Sequence, residues 1–390
     1  MSPSFVRSLA IHAGSKFSTP ASSSCRRIRF HCGMSSSHSQ APQDLPDRRL
    51  CVAPMMDWTD RYDRYFLRLI SKNTWMYSEM VTTSAILNGN QDRLLGFFPQ
   101  EHPIALQLGG SDPEDLAKCA KVGESYGYDE INLNVGCPSE RVSTGSFGAC
   151  LMAEPELVRD CVAAMRESVK VPVTVKHRIG IDHLDSYDLL CKFVSTVEEG
   201  GCKTFIVHAR KAILKGLSPK ENREIPPLQY HVVHQLKQDF PQLEIIINGG
   251  ITDLSQARAH LEQGMDGVMI GRSAYHEPYK ILSRADMEIY NDVNGYHKSR
   301  QQIIEEMLPF IDEQLKAGVS LNSITRHMQG LFHGCPGGRA FRRHLSENVH
   351  KEGSGSHTLW RAVENIPEEV RLRVDEEMRR EEEKIESMEV

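Results

Sequence analysis

The ten cysteines of this 390-residue chain include no C-x-x-C pair. They stand at 25, 32, 51, 119, 137, 150, 161, 191, 202 and 335, a spacing that fits neither a zinc site nor a secreted disulfide framework. No metal centre is expected, and the thiols read as reduced, most of them small core hydrophobes. No apolar run approaches the roughly 20 residues that a membrane-spanning helix needs, so no membrane partner is expected. Acid is missing from the start of the chain: residues 1–43 hold no Asp or Glu, but twelve Ser and five Arg or Lys. That composition is typical of organellar transit peptides. Residues 1–45 therefore read as a leader to chloroplast or mitochondrion, with Met34 available as a second start for a cytosolic form.

The formal net charge of −6 is local, because residues 364–390 carry eleven acidic and five basic side chains. The rest is close to neutral, which leaves room for basic patches and a nucleic-acid partner. A monomer is expected.

Short β-rich runs begin at Leu50, Trp75, Pro103, Glu130, Val171, Thr204, Glu244 and Gly267. Between them lie segments such as PEDLAKCAKVGESYG and PELVRDCVAAMRESV, with apolar residues at helical spacing and Pro in the first turn. Eight strands alternating with helices over about 230 residues indicate an α/β fold of the (β/α)8 TIM barrel type. A doubly wound open sheet would show fewer strands and one early Gly-rich turn. The barrel is assigned to residues 46–292, a C-terminal helical domain to 293–363, and a charged tail to 364–390.

Working residues of such barrels sit at the C-terminal ends of the strands. Those ends read Pro54-Met55-Met56-Asp57, Ser78-Glu79-Met80, Gln107, Asn132-x-Asn134 with Cys137, Lys176-His177-Arg178, His208-x-Arg210, Asn248-Gly249-Gly250 and Gly271-Arg272. The last two close strands seven and eight, where many barrels bind phosphate. Glycine permits close backbone approach there, and Arg272 offers a charge-assisted fork. Lys176 and His208 aim at the same mouth and suit negative charge developing on a reduced flavin. Gln107 offers both a donor and an acceptor to a pyrimidine edge. Cys137 follows an apolar strand, pinned between Gly136 and Pro138, ahead of a Gly- and Ser-rich loop.

The elements APMMDWTDR (53–61), ALQLGG (105–110), INLNVGCPS (131–139), VKHRIG (175–180), VHAR (207–210), NREIPPL (222–228), INGG (247–250), IGR (270–272) and GLFHGCPGGRAFRRHLSE (330–347) together resemble the tRNA-dihydrouridine synthases, and among them the A type that modifies the D-loop. The resemblance covers about residues 50 to 350. It implies a barrel that binds FMN, a helical domain that contacts tRNA, and NADPH as reductant. Carried over by position, Pro54, Met55, Met56, Gln107, Lys176, His208, Asn248, Gly249, Gly250, Gly271 and Arg272 would bind the flavin. Asn134 would lie beside a flipped uridine at position 20 or 20a. Cys137 would be the proton donor, since a free thiol keeps its proton near pH 7. The loop from 139 to 149 would close over the base, and Cys150 would pack rather than react.

Basic side chains suited to RNA follow strand six, at Lys211, Lys215, Lys220 and Arg223. Others crowd the helical region, at Arg326, Arg339, Arg342 and Arg343 with His327, His333 and His344. Three alternatives stay open at this point. They are a flavin barrel acting on a free small molecule, a tRNA-binding protein without chemistry, and a colourless phosphosugar-binding barrel.

Overall fold

The computed structural model describes residues 47–139, 145–295 and 297–374. The leader, the loop tip at 140–144 and the tail beyond 374 lie outside the described residues. The strands are β1 (Leu50–Val52), β2 (Trp75–Thr82), β3 (Ile104–Gly109), β4 (Glu130–Val135), β5 (Val173–Arg178), β6 (Thr204–His208), β7 (Glu244–Asn248) and β8 (Gly267–Ile270). They close as a parallel barrel in chain order, with β1 paired to β8. Every expected strand is present, each within two residues of its expected start.

The helices outside the barrel are α1 (Arg61–Ile70), α2 (Thr83–Asn88), α3 (Gln91–Leu95), α4 (Pro113–Tyr126), α5 (Pro155–Ser168), α6 (Tyr187–Glu199), α7 (Tyr230–Asp239) and α8 (Leu254–Glu262). Local chemistry sets their ends. Asp60 caps α1 by accepting from Tyr62 and Asp63 N–H, and Asp112 caps α4, whose first turn carries Pro113. Gly127 ends α4 at φ +95°, a conformation that costs glycine little.

Parallel strands are covered on both faces, so alternation along a strand separates core from barrel interior. On β4, Ile131, Leu133 and Val135 join the apolar layer under the helices, while Asn132 and Asn134 turn into the barrel. On β5, His177 packs outward against Phe193 and Phe205. Lys176 and Arg178, one residue to either side, therefore turn toward the barrel mouth.

After β8 the chain forms α9 (Arg272–His276), α10 (Pro278–Leu282) and α11 (Ala285–Glu288). The helical region follows as α12 (Arg300–Lys316), α13 (Leu321–Thr325), a 3-10 turn (Arg326–Gly330), α14 (Gly338–Asn348), α15 (Ser356–Val363) and α16 (Glu368–Leu372). A capping box between Ser299 and Gln302 starts α12. The assigned boundary near 292 falls between α11 and α12, but the apolar core runs across it. Phe310 of α12 stacks on Tyr65 of α1 with ring centroids 3.8 Å apart. The described residues form one compact unit.

Candidate active site

A cavity of about 790 Å³ opens at the C-terminal ends of the strands, a size ordinary for a cofactor site. Of the residues assigned to flavin, uridine or proton transfer, Pro54, Met55, Met56, Gln107, Asn134, Cys137, Lys176, His208, Asn248, Gly249, Gly250, Gly271 and Arg272 all line it.

The thiol at 137 stands on a braced turn. Asn134 Oδ1 accepts from the N–H groups of Gly136 (3.1 Å) and Cys137 (2.9 Å), so the strand's last inward side chain folds the chain back. Ala149 N–H donates to the Cys137 carbonyl at 2.9 Å, and Pro138 is buried. On the other side Arg178 reaches three backbone carbonyls, those of Gly136 (3.1 Å), Asn222 (2.9 Å) and Lys211 (3.3 Å). Asn222 is itself buried and ties Ile213, Leu217 and Ser218 into the same loop. Cys137 is half-buried and borders the cavity. Cys150 does not line the cavity; its thiol donates to the Phe147 carbonyl, and burial pushes its pKa up.

Gln107 and Asn134 also bond each other. Gln107 Oε1 accepts from Asn134 Nδ2, and its own Nε2 donates to Asn132, both at 2.8 Å. One amide hydrogen and one lone pair of Gln107 remain for a ligand. Asn134 therefore positions the thiol turn and Gln107 as well as lining the cavity.

The opposite wall is cationic. Lys176 Nζ donates to Asn248 Oδ1 at 3.1 Å, and Asn248 Nδ2 donates to the Met269 carbonyl at 2.7 Å. Burial, helped by the nearby Arg178, lowers the Lys176 pKa to about 7. Burial and the same cations hold the His208 imidazole well below its ordinary value. Burial likewise lowers Arg178 to about 10 and depresses Arg210 and Arg223. Arg210 Nη1 and Arg223 Nε are buried without hydrogen-bond partners among the described residues. Lys176, Arg178, Arg210 and Arg223, gathered at one buried wall with no ion pair to a carboxylate among the described residues, fit an anionic ligand.

The ends of β7 and β8 form a glycine cradle. Gly249 and Gly250 have φ of +118° and +71°, and a Cβ on Gly249 would meet the His208 ring at 2.8 Å. Only glycine fits such a turn without strain. Arg272 lines the same cavity and pairs with Glu224 at 2.9 Å. That pair is open to solvent and cheap to exchange for another anion.

The basic residues assigned to RNA divide. Arg223 belongs to the cavity wall instead of the rim. Lys211 is paired with Asp185 at 2.7 Å, while Lys215 and Lys220 are exposed. Arg326 and His327 lie in the junction between helical region and barrel, where both bond Asp60 at the N-terminus of α1. Arg339 and Arg343 are exposed on α14, whereas Arg342 is half-buried. Sequence reasoning assigned no role to Arg178, Arg210 or Trp58, which also border the cavity. The inward period of β5 and β6 is the signal that could have found the two arginines.

Residues 51–370 match the family described as Dihydrouridine synthase (Dus). The chain is 61% identical over 325 residues to a tRNA-dihydrouridine(20/20a) synthase of Vibrio parahaemolyticus, covering 83% of this chain and 98% of that protein. It is 58% identical to the protein of that name from Escherichia coli K12, over 82% of this chain and 91% of the relative. A Shewanella oneidensis protein, also so named, is 58% identical over 82% of this chain and 94% of its own length. The braced thiol, the cationic wall and the glycine cradle lie within the matched span, and the chain belongs to the dihydrouridine synthase family.

Proposed function

We propose that this protein reduces the C5=C6 bond of uridines 20 and 20a in the tRNA D-loop, with FMN bound in the barrel and NADPH as reductant. The observation that carries the reading is Cys137, braced at the end of β4 and sharing one cavity with Lys176, His208 and the arginines beside them. Bound FMN supplies a hydride, taken from NADPH and delivered to uracil C6. The chain's own groups do the rest. Cys137 Sγ gives its proton to C5 and is reprotonated from solvent. Lys176 and His208 would hold the electron-rich pyrimidine edge of the cofactor, and the Gly249–Gly250 backbone would let its phosphate approach closely. A base must leave its stack to reach Cys137, and a braced thiol meets it without reorganisation. Exposed Arg339 and Arg343 suit the tRNA backbone.

Rapid-mixing absorbance at the flavin band tests this by separating reduction by NADPH from reoxidation by tRNA. Slowed reoxidation by tRNA in Cys137→Ala is expected. Reoxidation by free uridine as fast as by tRNA would overturn the assignment of substrate. The leader, free of acid over residues 1–43, is proposed as an organelle address, to be checked by imaging a fusion of residues 1–45 with a fluorescent protein.

A further inference from the structure

The loop after β1 carries an indole that neither the thiol turn nor the cationic wall uses. Trp58 is half-buried, borders the cavity, and stacks on Tyr275 with centroids 4.5 Å apart and planes 11° from parallel. His276 meets it edge-on at 4.9 Å, and neighbouring Met56 is 56% exposed. The stack is rigidly backed. Tyr275 Oη lies 3.2 Å from His327 Nδ1, and Asp60 takes both His327 Nε2 (3.1 Å) and Arg326 (2.6 Å). A large aromatic left half-open at a cavity mouth, yet held from behind, suits a planar ligand.

Its place says which ligand. In a barrel closed in chain order, β1 and β8 lie across the mouth from β4 and β5, which carry Cys137 and Lys176. The helical region packs on that first side, through the 3-10 turn at 326–330 against α1 and α9. An RNA strand that docks on the helical region and delivers one base to Cys137 would enter the mouth from this side. Carboxylates flank the stack: exposed Asp57 bonds Glu79 through its N–H, Glu277 faces His333 at 3.2 Å, and Arg272, on the same helix as Tyr275, is held by Glu224 at 2.9 Å. Carboxylates repel phosphate, so the contact suits a base face and not the backbone.

We propose that Trp58, backed by Tyr275, is a stacking platform for the nucleobase next to the extruded uridine, an inference that rests on the tRNA reading above. The platform fixes which uridine of the loop reaches the thiol, by holding its neighbour. It needs no hydrogen-bond readout and tolerates more than one base.

The test uses flavin-loaded full-length protein and fluorescently labelled tRNA transcripts, with binding followed by anisotropy. Trp58→Ala should weaken binding of the intact transcript by roughly 5- to 100-fold, and Trp58→Phe by much less. A transcript abasic at one of the two positions flanking the target uridine should bind the native protein as weakly as the intact transcript binds Trp58→Ala. That abasic site should cost Trp58→Ala nothing further. An undiminished abasic penalty in Trp58→Ala, or native affinity in that variant, overturns the platform and leaves the family activity standing. Failure of the native protein to bind any tRNA overturns the tRNA reading and the platform with it.

Discussion

At the N-terminal end of the barrel, Arg48 is almost wholly buried and meets Glu130 at 2.6 Å and Glu244 at 3.1 Å. Tyr77 and Thr174 add hydrogen bonds to Glu130, and Thr204 adds one to Glu244. At the C-terminal end Lys176, Arg178, Arg210 and Arg223 share a wall and form no ion pair among the described residues. The barrel thus holds ion-paired charge at one end and cations without an ion-pair partner among the described residues at the other. Matched buried charge is costly to break and says nothing of a ligand. Unmatched buried charge lowers stability and persists where a ligand supplies the missing sign. The lower end is a plug, and the upper end is a site.

The sharpest break of that comparison is chemical. Cys137→Ala should slow tRNA-dependent flavin reoxidation by about 10²- to 10⁴-fold, the span of a lost general acid. Cys150→Ala, outside the cavity, should stay within a few-fold of the native rate in the same rapid-mixing traces. A collapse in Cys150→Ala would move the proton donor.

Next come the buried charges themselves. Glu130→Gln leaves Arg48 short of its nearest partner and should cost about 3–5 kcal/mol in urea denaturation. Lys176→Met should leave the flavin-free protein as stable or more so, while weakening flavin retention. The Lys176 pKa falls from 10.5 to about 7 on folding, so over that range the unfolded chain binds a proton that the folded chain sheds. Stability of the flavin-free protein should therefore rise with pH between about 7 and 10.5, and Lys176→Met should flatten the rise. A rise of unchanged slope in that variant would place the charge elsewhere.

A smaller effect is expected at the phosphate end. Arg272→Ala should weaken FMN binding by about 1.5–3 kcal/mol, as loss of a charged hydrogen bond does. Glu224→Gln frees Arg272 from its exposed partner and should tighten binding a few-fold. Equilibrium titration of the flavin-free protein reads both, and tighter binding in Arg272→Ala would place the phosphate elsewhere. Least in energy is the outer surface: Arg339→Ala with Arg343→Ala should lower the slope of log K for tRNA against log salt by one to two. An unchanged slope would move the docking surface off α14.

Much of this was legible in the chain. The alternation of β-rich and helical segments located every strand, because each strand is covered on both faces and must be apolar along one of them. Cys137 was legible because no packing role needs a thiol between Gly136 and Pro138. Arg326 and His327 were misplaced for an equally physical reason. A basic pair beside a basic helix reads as RNA-facing until the fold brings Asp60, some 266 residues earlier, within 2.6 Å of Arg326. Arg223 was assigned to the rim because its segment is polar, and only the hydrogen bonds of Asn222 and Arg178 draw that segment inward.

By itself the sequence determined the barrel, its strand ends, the thiol and the glycine cradle, since periodicity and local backbone chemistry act over a few residues. Tertiary structure alone decided which charges are neutralised. That depends on distances between groups far apart in the chain: Arg48 finds Glu130 and Glu244, Arg326 finds Asp60, and Lys176 finds no carboxylate among the described residues. It also decided that Trp58 stands on Tyr275 at the rim, where a helix after β8 meets a loop after β1. Closure of the barrel brings those two ends together, because β1 pairs with β8.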